Sequence, residues 1–113
     1  MTSDTNTTSN RRVTARLACQ LTVRYRVDKQ WHPATAMNLS AQGCRLRLGE
    51  DLPRGSEVSL AFEAPLKDGA SALFLELKGT VIWCRHEGLS LQAGIQFSGE
   101  SPDALREILA ALA

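Results

Sequence analysis

Leu17-Ala18-Cys19-Gln20-Leu21-Thr22-Val23-Arg24-Tyr25-Arg26-Val27 alternates apolar and polar side chains over eleven residues. Leu17, Cys19, Leu21, Val23, Tyr25 and Val27 fall on one face, and Ala18, Gln20, Thr22, Arg24 and Arg26 on the other. A period of two predicts a strand with one face buried. After a turn at Asp28-Lys29-Gln30, a second strand is expected over Trp31 to Ser40, with Thr35, Met37 and Leu39 on one face and Ala34, Ala36, Asn38 and Ser40 on the other. Cys44, Leu46 and Leu48 alternate with Arg45 and Arg47 as a third strand. A loop over Gly49 to Gly55 precedes a fourth, in which Val58, Leu60 and Phe62 alternate with Ser59, Ala61 and Glu63. Ala64 to Ala72 reads as a longer loop around Pro65 and Asp68-Gly69.

Leu73 to Arg85 reads as a fifth strand, long enough that Gly79 is expected to mark a bend or bulge. Glu87-Gly88 signals a tight turn, and Leu89, Leu91, Ala93, Ile95 and Phe97 form the inward face of a sixth strand. The period then changes. Ser101 suits an N-cap and Pro102 the first helical position, and Leu105, Ile108, Leu109 and Leu112 make one apolar stripe. The expected fold is all-β: a six-stranded antiparallel closed or split barrel with one C-terminal helix over a face or mouth.

The totals fit one globular domain. The chain has 113 residues, 43% hydrophobic and 22% charged. Met1 to Asn10 is almost free of apolar residues and is expected to be a disordered tail, with the domain over 11–113. No apolar run is long enough to span a membrane, and the first residues lack the form of a signal peptide, so a cytoplasmic location is expected. Cys19, Cys44 and Cys84 are odd in number and unpaired in spacing, as expected of reduced thiols acting as small hydrophobes. His32 and His86 read as solvated loop or strand-end residues.

The net charge of +1 hides an asymmetry. Residues 11–47 carry eight basic side chains, seven of them Arg, against Asp28 alone. Residues 48–113 carry five basic and ten acidic side chains. Arg presents a planar fork that matches phosphates and purine edges, so the bias points towards an anionic, planar partner; a basic stripe on a solvated sheet face is the common alternative.

Two clusters concentrate that chemistry. Arg11, Arg12 and Arg16 crowd three guanidinium groups ahead of the first strand. Their mutual repulsion is relieved by a phosphate ligand through charge-assisted hydrogen bonds; the plainer reading is a solvated basic segment. Asn38, Ser40 and Gly43 end the second strand. Asn offers a donor and an acceptor, Ser a hydroxyl, and Gly permits positive φ and lets a ligand approach the backbone closely, a set able to read a base edge. By itself it reads rather as a strand ending in an ordinary turn.

Together, RxxxR at Arg12 to Arg16 and NxSxxG at Asn38 to Gly43 resemble the motifs of the PilZ domain family. The resemblance runs over about residues 11–112 and takes in the Arg11-Arg12 doublet, Lys78 to Trp83, Ala93 to Phe97 and the closing helix. It implies a six-stranded barrel and a receptor for the bacterial second messenger cyclic di-GMP. Arg12 and Arg16 would grip phosphates and guanine, and Asn38, Ser40 and Gly43 would surround a guanine. Asn38 is a permitted variant of the family's Asp, but lacks its acceptor-only carboxylate. An Arg in the place of Arg11 tends to accompany binding of a stacked, self-intercalated ligand dimer. Trp83 is a candidate stacking platform, although its alternation with the apolar Leu77 and Val81 favours a core residue. Arg45 and Arg47 either extend the positive patch or lie on a solvated face.

The reading is therefore a cytoplasmic, non-enzymatic receptor and adaptor that binds cyclic di-GMP and relays it to a downstream effector protein, with motility, exopolysaccharide secretion, biofilm formation and virulence as outputs seen in the family. No cofactor or metal is expected. The alternatives are a PilZ-like protein-interaction module acting without nucleotide, and a small nucleic-acid-binding barrel. An aromatic content of 5% is thin for the latter. A flavin-binding split barrel fits least.

Overall fold

A computed structural model describes residues 16–65, 72–99 and 102–112. The expected 1–10 tail, Arg11, Arg12, residues 66–71 of the expected loop and the expected Ser101 cap lie outside the described residues. Six strands follow in sequence: β1 (Leu17–Arg26), β2 (His32–Leu39), β3 (Gly43–Leu48), β4 (Glu57–Pro65), β5 (Ala72–Glu87) and β6 (Ser90–Phe97), then helix α1 (Asp103–Leu112). They close a barrel in the order β1-β2-β3-β6-β5-β4, antiparallel at every junction, with β4 pairing back onto β1. Closure leaves no unpaired edge.

The alternation in β1 packs as its pattern requires. Leu21, Val23 and Tyr25 point into the barrel, where Leu46, Leu60, Phe62, Val81 and Ile95 meet them. Val27 lies beyond the end of the strand and is exposed. The Tyr25 hydroxyl donates to Glu50 Oε1 at 2.7 Å. His32 is not simply solvated: it stacks on Tyr25 with ring centroids 5.2 Å apart, and its Nε2 stands 3.6 Å from Glu50 Oε1. Helix α1 packs across β1 and β5 and buries Leu105 and Ile108. Burying each such side chain contributes about 1.5–3 kcal/mol.

Bulges account for the places where alternation misleads. In β2, Ala36 opposes Leu46 and Asn38 opposes Arg45, so Met37 is an extra residue. The expected apolar face of Thr35, Met37 and Leu39 is therefore split: Ala36 and Leu39 both face the core, one on each side of the bulge. In β5 the bulge falls between Val81 and Trp83, at Ile82 rather than at Gly79. Gly79 serves close packing instead, since a Cβ there would lie 2.7 Å from the Gln96 carbonyl oxygen and the Ile95 Cγ2. β4 and β5 extend further than expected, to Pro65 and from Ala72. Leu89, expected on the inward face of β6, sits in the turn and is fully exposed.

Cys44 is buried, and Cys19 and Cys84 are half-buried; all three are free thiols. Burial, with Cys19 nearby, pushes the Cys44 thiol well up from its usual value, and the Arg16 charge pulls it partly back. Cys44 is thus an inert core side chain.

Candidate ligand cleft beside the β2–β3 turn

The register of β1 against β2 explains why Arg16 meets a turn more than twenty residues away. Leu17 pairs with Leu39 in antiparallel fashion. Continuing that register by one residue sets Arg16 beside Ser40, and both line the same cleft. Arg16 is exposed and makes no ion pair with any described residue.

Ser40 organises the turn. Its Oγ accepts hydrogen bonds from the backbone N–H groups of Gln42 and Gly43, at 3.1 and 3.2 Å, and donates to the Gly43 carbonyl at 3.3 Å. The Ser40 N–H also donates to the Gly43 carbonyl, and the Gln42 carbonyl accepts from Phe97. This is a side-chain-closed turn of the kind Ser favours. Ser40 is the one polar side chain buried among the described residues. Ser40→Ala strips the buried Gly43 N–H and the partly buried Gln42 N–H of their acceptor, and is expected to cost about 1–3 kcal/mol. Chemical denaturation of the variant checks this.

Gly43 does not take positive φ. It is needed because β3 and β6 approach closely: a Cβ would stand 2.3 Å from the Ile95 carbonyl oxygen.

The turn, Arg16 and the outer face of β5 and β6 enclose an open cleft of about 310 Å³. Of the residues singled out in the sequence, Arg16, Ser40, Gly43 and Trp83 line it. Gln42, Ile82, Gly94, Ile95 and Gln96 also line it and were not singled out; the signal for Gly94 was a glycine inside a strand. A second cleft of about 380 Å³, at Arg26, Asp28, Glu57 and Lys78, mixes charges of both signs and lacks this convergence.

Trp83 is not a core residue. The extra residue at Ile82 reverses the alternation, so Cys84 turns inward opposite Ala93, and Trp83 turns outward opposite Gly94. The indole is half-buried beside the cleft.

Asn38 is not on the cleft wall. It belongs to a row that crosses the barrel surface from β2 to β5: Asn38 opposes Arg45, Arg45 opposes Gly94, and Gly94 opposes Trp83. Asn38 Oδ1 and Arg45 Nε are both buried, and neither has a hydrogen-bond partner among the described residues. An acceptor and a donor are thus left unsatisfied on directly opposed residues, at a cost of about 1–3 kcal/mol each. Arg45 is half-buried rather than solvated, whereas Arg47 is exposed.

The comparisons agree with this architecture. The family model described as PilZ domain matches residues 10–113. The solved structure of the Bacillus subtilis inhibitor of motility, MotI/DgrA, superposes with a TM-score of 0.76 at 17% identity, over 90% of this chain and 49% of that one. This chain therefore spans about half the length of that protein. No curated protein matches the chain. With a family model that runs the length of the barrel and its closing helix, the chain belongs to the PilZ domain family.

Proposed function

We propose that this chain is a cytoplasmic receptor for cyclic di-GMP that passes the signal to a partner protein. The observation that carries the reading is the convergence of Arg16, the Ser40–Gly43 turn and Trp83 on one cleft. Each supplies what such a ligand needs. Arg16 offers a fork to phosphate. Trp83 offers an apolar ring on which a purine can stack, a contact worth about 1–3 kcal/mol. Asn38 Oδ1 and Arg45 Nε lack partners, but both are covered and lie off the cleft wall, so a guanine edge would reach them only by opening the row that buries them. No helix among the described residues is long and apolar enough to cross a membrane.

The signal would be carried by residues 11–16. Arg11 and Arg12 precede Arg16 by five and four residues in sequence, so a bound phosphate pair would draw all three against the β2–β3 turn. Ordering that segment would change the surface beside β1, which is what a partner would recognise. Arg11 would add one more cation against the four phosphates of an intercalated ligand dimer. Motility is one output consistent with the resemblance to the inhibitor of motility.

Thermal unfolding tests the reading. Cyclic di-GMP at about a hundred times its dissociation constant should stabilise the fold by about 2.7 kcal/mol, raising Tm by on the order of 10 °C or more. Cyclic di-AMP at the same concentration should not. Equal shifts with both, or none with either, would refute a guanine-reading receptor.

A further inference from the structure

The row that runs Asn38, Arg45, Gly94, Trp83 is closed by the chain itself. At one end Asn38 Oδ1 and Arg45 Nε are buried, with no hydrogen-bond partner among the described residues. At the other end the Trp83 indole leans from β5 across β6. A Cβ on Gly94 would lie 2.6 Å from Trp83 Cε2 and 2.9 Å from Cδ1, so the ring occupies the space a side chain would fill. Gly94 pairs with Arg45 on its far side. The indole therefore lies between its own strand and the unsatisfied pair.

The other face of the ring is covered as well. The Arg85 guanidinium carbon stands 4.4 Å from the ring centroid, and Arg85 Nε donates in turn to the Glu87 carboxylate. Trp83 and Gly94 both line the cleft, whereas Arg85 does not. In this state neither ring face is free to take a base, and the polar pair at the end of the row is out of reach.

We infer that Trp83 is an internal plug: its indole holds the place of a purine over Gly94, Arg85 latches it there, and a nucleotide base reaches Asn38 and Arg45 by displacing it. The inference rests on the receptor reading of the same cleft and adds a closed state from which that receptor opens. An indole is a planar bicycle close to a purine in size, so one can replace the other on the same glycine. Swinging the ring off Gly94 frees the face it had pressed on the sheet. The same movement uncovers an acceptor and a donor, which suit the N–H groups and carbonyl oxygen of a guanine. Affinity is then reduced by the fraction of molecules in which the ring is still seated. Arg85 contacts the ring and not the cleft, so removing it weakens the closed state and takes no contact from the ligand. Loss of this native cation–π pair should therefore tighten binding.

The test uses the full chain carrying Trp31→Phe, so that Trp83 is the only tryptophan. Two quantities are read: acrylamide quenching of Trp83 without ligand, and the dissociation constant for cyclic di-GMP. Gly94→Ala, whose methyl takes the ring's place, sets the quenching of a displaced indole. Arg85→Ala should raise the quenching constant about twofold, towards that value, and tighten binding about threefold, as expected from losing an exposed cation–π pair in the closed state. Glu87→Gln should move both in the same direction by less. Unchanged quenching in Arg85→Ala would overturn the inference, and so would binding that is unchanged or weaker; in either case a parent that binds keeps the receptor reading intact. Binding by Arg85→Ala alone would support both. If neither the parent nor Arg85→Ala binds cyclic di-GMP, the receptor reading fails and the plug falls with it.

Discussion

Gly43→Ala is expected to lower the stability of the barrel by about 3 kcal/mol, which for a domain of this size lowers Tm by at least about 10 °C. The cause is contact between two backbones. The new methyl would meet the Ile95 carbonyl oxygen at 2.3 Å, with the Ile95 carbonyl carbon at 3.3 Å and Gln96 Cα at 3.4 Å. None of these is the end of a flexible side chain. Relief requires β3 and β6 to separate at the Gly43–Gln96 pair, where both strands frame the cleft. Ligand affinity should fall with stability. Gly49→Ala is the matched control: its Cβ meets nothing within 4 Å, and the change should stay within about 0.5 kcal/mol. Urea titration of the two variants separates a close approach of strands from a general intolerance of alanine.

Arg12→Ala and Arg16→Ala are expected to do the reverse, removing binding while sparing the fold. Arg16 is exposed, precedes β1 and holds no described carboxylate. Its loss should change stability by no more than about 0.5 kcal/mol. Its contribution to a phosphate or guanine contact is another matter. A good bidentate arginine pair is worth about 1–3 kcal/mol, so each substitution should weaken cyclic di-GMP binding by roughly 5- to 150-fold. Lysine at either position keeps the charge but loses the planar fork, and should rescue only part of the affinity. Binding by the parent should weaken as salt is raised, because Arg16 is solvent-exposed. A double variant that binds as tightly as the parent would remove the arginine segment from the site.

Much of this was legible in the sequence, for identifiable reasons. The eleven-residue alternation from Leu17, the apolar stripe of the helix and the turn residues between strands express burial on one face, and that is a local property. The meeting of Arg16 with the Asn38–Gly43 turn was legible through family resemblance, and the β1–β2 register supplies its physical cause. What the sequence concealed depends on single inserted residues. A bulge at Met37 or at Ile82 leaves composition unchanged and reverses every side chain beyond it. Leu39 therefore keeps company with Ala36, and Trp83 leaves the core to which its alternation assigned it. Gly43 and Gly94 carry the opposite lesson. Both signal close approach, but what approaches them, a carbonyl in one case and an indole in the other, comes from another strand. Arg45 looked like a solvated residue because alternation reports a face and not what covers it.

The central claim is that the arginine segment and the β2–β3 turn close on one nucleotide site. Calorimetric titration of the chain with cyclic di-GMP tests it most directly, because it reads affinity and stoichiometry together. Saturable, salt-sensitive binding that reaches two ligand molecules per chain is the expected result, with Arg11 serving the second. Saturation at one molecule per chain would contradict the role given to Arg11, and the absence of saturable heat would contradict the site itself.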